Sequence, residues 1–169
     1  MRWRRKAKLP TAADFLYDPP DKIENVRNWW INSRIVVRRL LNKKKYTQAY
    51  DILSNHKLPL KTDSGREAEW LAGWVAIHHL KKPKKSIEHF KKVYENTPNK
   101  SMKAKAAYWI SEANGLTNQK NEEVIWLKIA SKNKFSFYGQ NASIKLGNFN
   151  FKKEKKILLR PDNADDLLE

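Results

Sequence analysis

The chain has 169 residues, 35 of them Lys or Arg and 18 Asp or Glu, for a formal net charge of +17. Its length fits one domain or one stretch of a repeat array, and 40% hydrophobic residues, with seven Trp, six Tyr and six Phe, suffice for a core and exclude wholesale disorder. The absence of Cys excludes disulfides, thiolate metal sites and thiol nucleophiles, and five Gly are too few for a Gly-rich phosphate cradle.

Residues 1–24 read as an irregular segment. MRWRRKAKLP offers a positive start, but TAADFLYDPP is broken by Asp14, Asp18 and two prolines, so no signal peptide is predicted. No uncharged apolar stretch approaches the roughly 18 residues of a membrane span. A helical region follows over 25–147. Its first helix, Asn28 to Asn42, sets Trp30, Val37, Leu40 and Leu41 apart from Arg34, Arg38 and Arg39 on a 3.6-residue wheel. A second is predicted from Tyr46 to Asn55, and a loop from His56 to Thr62. Ser64 followed by Glu67 has the form of a capping box, which places the third helix at about Gly65 to Leu80. That helix is apolar along two stripes, Leu71–Trp74–Val75–His78 and Trp70–Trp74–Ile77, so it needs neighbours on both sides. Pro83 suits the first turn of a fourth helix, closed by Pro98, with Ile87, Phe90, Val93 and Tyr94 inward. Further helices are predicted from Met102 to Asn114, from Asn121 to Lys132, and after Phe135 with Gly147 as the stop. Residues 148–169 read as a charged tail, FKKEKK followed by DNADDLLE, in which Asp162, Asp165 and Asp166 lack the spacing of a calcium loop.

An offset of 37 residues aligns Leu53, Phe90 and Leu127, and also Trp70 with Ala107 and Trp74 with Ser111. Helix pairs of about that length, with aromatic or small residues at fixed places, predict an all-α, tetratricopeptide-like helical hairpin solenoid of about seven helices. No strand-rich segment competes with it.

Little in the chain reads as reactive chemistry. His78 and His79 are adjacent and point about 100° apart, so they cannot form the i, i+4 pair of a helical zinc site, and His56 is remote in sequence. Glu67, Glu69, Glu88, Glu112, Glu122 and Glu123 lie at helix starts or on helix faces, and none is singled out as a glycosidic acid. Ser and His form no nucleophile elbow. No metal or cofactor is predicted. The charge is mostly Lys, 26 against nine Arg, in a chain also rich in Asn and Ile, a usage that raises Lys on any solvated surface. It still creates a field favouring loose association with anionic surfaces. Trp70, Trp74, Trp109 and Phe90 fit core packing, while Trp3, Trp29 and Trp30 lie near an end of the array. The basic arm Arg2, Arg4, Arg5, Lys6 and Lys8 carries no nucleic-acid recognition motif.

Several blocks, in order, resemble the helical superhelix that precedes the catalytic domain of bacterial soluble lytic murein transglycosylases. They are WRRKAKLPTAADFLYDPP, WWINSRIVVRRLLNKKKYTQAYDIL, AEWLAGWVAIHHL, SIEHFKKVYENTP, AAYWISEA and FSFYGQNASIKLG, covering about residues 3–147. The resemblance implies a periplasmic protein of peptidoglycan turnover whose curved helical body lies around glycan strands, with Trp29, Trp30 and Tyr138 as candidate glycan contacts. The family's catalytic Glu-Ser motif and its Gly-Leu-Met-Gln stretch are absent, since Ser111 precedes Glu112 in the wrong order within a repeat helix. The expectation is therefore a non-catalytic superhelical segment from a truncated or split gene, inactive alone. Its expected partners are peptidoglycan glycan strands or a separate catalytic chain, with no specific nucleic acid and no membrane span. A periplasmic location follows from the resemblance, and a cytoplasmic one from the chain as written, which has no signal peptide. The alternatives are a free-standing adaptor holding a protein segment in its groove, or a weak basic nucleic-acid binder.

Overall fold

The structure, a computed structural model, describes residues 23–148, with side chains from Asn28 onward. Most of the predicted irregular segment, its basic arm and Trp3, and nearly all of the predicted tail lie outside the described residues. Seven helices and no strand make up the regular structure among them: α1 (Ile23–Asn42), α2 (Tyr46–Ser54), α3 (Asp63–His78), α4 (Pro83–Asn96), α5 (Lys100–Leu116), α6 (Lys120–Ser131) and α7 (Phe137–Lys145). The all-α class and the helical hairpin arrangement are those expected.

The odd-numbered helices form one layer and the even-numbered helices the other. In the odd layer Trp30 Nε1 of α1 donates to Glu67 Oε2 of α3 at 3.1 Å, the Trp74 ring of α3 meets Trp109 of α5 at 5.0 Å, and Tyr108 of α5 meets Tyr138 of α7 at 5.5 Å. The even layer is joined by Tyr50 of α2 to His89 of α4 at 2.9 Å and by Tyr94 of α4 to Trp126 of α6 at 5.3 Å. Each successive pair of helices also packs together. The core runs between the layers, from Trp30, Val37 and Leu40 through Ile52, Val75, Phe90 and Ile110 to Leu127 and Ala142. The repeat positions Leu53, Phe90 and Leu127 are all buried, each on the even helix of its hairpin.

The same period appears in the backbone. Lys44, Lys81 and Asn118, successive residues of the 37-residue offset, sit in the three turns that join an odd helix to the next even one, at φ 58°, 55° and 60°. In this left-handed conformation the chain leaves the helix and its last carbonyls are satisfied. Lys45 N–H reaches Leu40 O, Lys82 N–H reaches Ala76 O, and Gln119 N–H reaches Asn114 O. A side chain there costs free energy that Gly would avoid, yet two of the three are Lys.

The start of α3 differs from the capping box expected of Ser64 and Glu67. Thr62 is the cap, its Oγ1 accepting Gly65 N–H at 3.1 Å. The helix therefore begins at Asp63, and the Glu67 carboxylate is free to hold Trp30 and Arg34 of α1. At the other end of the array Ser136 caps α7, accepting Gly139 N–H and donating to Asn133 O, both at 3.0 Å. This draws the α6–α7 loop so close that a Cβ on Gly139 would stand 1.9 Å from Asn133 O. Gly139→Ala is therefore expected to lower the urea midpoint by the equivalent of about 1–3 kcal/mol, because the clash is with backbone and no side chain can swing away. An unchanged midpoint would contradict that close approach.

Candidate functional site

On the odd-helix layer a chain of rings crosses three helices. Trp70, Trp74 and His78 occupy successive turns of one face of α3. The His78 ring lies 3.8 Å from Trp74 and 5.1 Å from Trp109 of α5. Trp109 adjoins Tyr108, Tyr108 adjoins Tyr138 of α7, and Tyr138 adjoins Phe137 at 5.2 Å. Apart from the exposed Phe137, these side chains are half-buried, each combining packing with access to solvent. Trp74 and Trp109, expected in the core, thus stand at its edge, and Phe90 alone of that group is fully buried.

Cations accompany the rings. Lys105 Nζ lies 3.7 Å from the centre of the Trp70 ring, and burial pushes its ammonium below the ordinary lysine value. Lys145 Nζ lies 5.4 Å from the Tyr108 ring and is paired with Glu112. Burial alone would lower the Lys145 ammonium, but the Glu112 carboxylate outweighs it and raises the group. Burial, with help from His79 and Lys81, lowers His78 from the ordinary imidazole value. His78 Nε2 and Trp109 Nε1 are buried without hydrogen-bond partners. Beside this face opens a hollow of about 770 Å³, lined by Arg66, Lys105, Phe135, Phe137 and Tyr138 among others. Together the rings and ammonium groups can stack on flat apolar faces and attract negative charge.

A second polar group is sealed between the layers. Glu69 of α3 is 3% exposed and accepts hydrogen bonds from three side chains: His56 Nε2 at 3.2 Å and Lys92 Nζ at 2.8 Å on Oε1, and His89 Nδ1 at 2.5 Å on Oε2. Leu58 N–H donates to His56 Nδ1 at 2.8 Å, which leaves the His56 ring proton on Nε2, facing the carboxylate. Beyond His89, Nε2 meets the Tyr50 hydroxyl at 2.9 Å. Burial by itself would raise the Glu69 carboxyl, but the three donors outweigh it and hold the group well below the usual carboxylate range. An acid held ionised in this way has no proton to give at neutral pH. The cluster ties together α2, the α2–α3 loop, α3 and α4. No group of three His, Cys, Asp or Glu able to hold a metal ion occurs among the described residues.

The three candidate glycan contacts fare differently. Tyr138 belongs to the ring chain and to the hollow. Trp29 is half-buried on α1, its ring 6.5 Å from that of Trp30. Trp30 is corrected: at 2% exposure, with its indole N–H bound by Glu67, it is a core residue with no face to offer a ligand. His56 and His89, separate in sequence, are brought together by Glu69, while His79 stacks on Tyr46 at 4.1 Å. One signal of the Glu69 cluster lies in the repeat itself, because His56 stands where the following hairpins carry Val93 and Ala130, and Glu69 where the next carries Ala106. Compared with known proteins, the chain matches no family profile, no curated sequence and no solved structure.

Proposed function

We propose that this chain is a non-catalytic superhelical element of peptidoglycan turnover that presents its odd-helix face to glycan strands. The observation that carries the reading is the ring chain from Trp70 and Trp74 through Trp109 and Tyr108 to Tyr138, flanked by Lys105 and Lys145. Partly exposed indole and phenol rings can receive stacked sugar rings, and nearby ammonium groups favour a polymer that bears carboxylates. The resemblance of the repeat blocks to the murein transglycosylase superhelix supports the same ligand.

The state of the carboxylates supports a binding role. Glu112, on the ring face, is paired with Lys145; Glu67 is paired with Arg34 and Trp30; Glu69 is buried and ionised. Cleaving a glycosidic bond needs an acid that keeps its proton near neutral pH beside the leaving oxygen, and Glu69, held ionised by its three donors, is arranged the other way.

The test is a pull-down with purified sacculi over a salt series. Trp74→Ala and Tyr138→Ala are each expected to weaken binding about threefold to tenfold at high salt, where charge attraction is screened and stacking is not. Trp30→Phe, which alters no exposed ring, should leave it unchanged. Release of anhydro-muropeptides by the purified chain, or sacculus binding that vanishes with salt and ignores both substitutions, would overturn the reading.

A further inference from the structure

The α6–α7 loop, residues 132–136, holds two phenyl rings in water. Phe135 is 95% exposed and Phe137, at the start of α7, is 68% exposed. Between them Ser136 is buried, bonded to Asn133 O and Gly139 N–H, with Gly139 packed against Asn133. The loop is therefore fixed from below, and the rings project as a preformed wedge. Phe135 stands at the rim shared by two hollows yet keeps nearly its whole surface in water.

Lysines flank the Phe135 side of the wedge, while on the other side Phe137 shares a hollow with Lys105 and the paired Asp63 and Arg66. Lys132 and Lys134 lie on the same loop, and Lys100 and Lys103 on the first turn of α5. All four line one hollow of about 690 Å³ with Phe135 and Tyr94, and its lining includes no Asp or Glu. Lys103 Nζ lies 5.5 Å from the Tyr94 ring. Among the described residues no carboxylate pairs with any of the four, although lysines elsewhere on the chain find partners in Glu69, Glu88, Glu112 and Glu123.

From this juxtaposition we propose that the α6–α7 edge is a docking surface for an anionic phospholipid bilayer, Phe135 and Phe137 entering the interface while the four lysines lie against headgroup phosphates. A soft apolar layer accepts a projecting ring as a groove-bound peptide would not, and aromatic tips flanked on one side by four Lys are complementary to a negatively charged lipid surface. The contact is peripheral, since no helix among the described residues is long and apolar enough to cross a membrane. It uses an edge beside the ring face assigned above to glycan and does not depend on that assignment.

Co-sedimentation of the full chain with phosphatidylcholine vesicles, with and without phosphatidylglycerol, tests this. Binding is expected only with the anionic lipid. Lys132→Gln and Lys134→Gln should each weaken it by up to about fivefold at low salt. Phe135→Ala combined with Phe137→Ala should weaken it about tenfold or more at any salt, and Phe135→Leu should preserve most of it. Both rings are exposed, so the variants should keep the helical circular dichroism of the parent. Because the chain has no Cys, a polarity-sensitive dye on Phe135→Cys reports insertion directly, by blue-shifted emission on anionic vesicles alone. A dye that stays in water on vesicles that bind the protein would overturn the proposal. So would vesicle binding indifferent to both phenylalanines, or their importance only for an oligonucleotide or an acidic peptide.

Discussion

Replacing Glu69 by Ala is expected to destabilise the chain by about 3–5 kcal/mol in urea denaturation, the range for removing one partner from a buried charged cluster. The carboxylate is 3% exposed and receives His56, His89 and Lys92, so its loss strands two ring N–H groups between helices and leaves an ammonium without its counter-charge. Glu69→Gln should recover little, because its amide nitrogen adds a donor where three donors already point. The pH dependence follows from the direction of the shift. Glu69 is held below its unfolded value, so its contribution is complete above the ordinary carboxylate range and is lost as pH falls beneath that range toward the lowered value. Burial also lowers His78 from the ordinary imidazole value, so the unfolded chain takes up that proton first and stability begins to fall as pH drops through that ordinary value. The parent should thus lose stability in two stages on acidification, and Glu69→Ala should lack the lower one. A loss under about 1 kcal/mol for Glu69→Ala, or an unchanged acid limb, would mean that the cluster does not hold the layers together.

Phe90→Ala should cost a similar amount, about 3–5 kcal/mol, by a different route. The ring is completely buried, 4.8 Å from Trp70 and 6.4 Å from Trp109, and lies in a notch on α3 that Gly73 leaves open. A Cβ on Gly73 would stand 2.7 Å from Phe90 Cε1. Gly73→Ala alone should therefore destabilise by overpacking, about 1–3 kcal/mol, and pairing it with Phe90→Leu should cost less than the two separate losses summed. Strict additivity would place the ring elsewhere.

The helices were legible because their apolar periodicity is strong, and their stacking because Leu53, Phe90 and Leu127 recur at one offset. The turns were not, although they follow the same offset: Lys44 and Lys81 adopt a conformation usually marked by Gly or Asn, and lysine gives no turn signal of its own. The start of α3 was misplaced because a capping motif at Ser64 and Glu67 competed with Thr62, and only the position of α1 shows that Glu67 is engaged elsewhere. Trp30 looked available on the view that an array end is open, yet α3 covers it. The Glu69 cluster draws on four separate stretches of chain, so no local spacing could reveal it. Its trace was polar residues where the neighbouring hairpins carry Val and Ala. Tyr138 was singled out by the resemblance alone, whereas its contact with Tyr108 needed α5 and α7 side by side.

The two-layer arrangement also bears on how the chain finds its fold. Contacts run from each helix to the next or to the next but one, and the longest side-chain hydrogen bond described, Tyr50 to His89, joins residues 39 apart. Among the described residues no step has to bring distant parts of the chain together, so the entropy of closing large loops, which slows sheet proteins, is largely absent there. Such a topology permits folding on the microsecond-to-millisecond scale, starting at any hairpin and spreading to its neighbours. The hairpin of α3 and α4 is favoured as the starting point, because it is flanked on both sides and contains Phe90 and most of the Glu69 cluster.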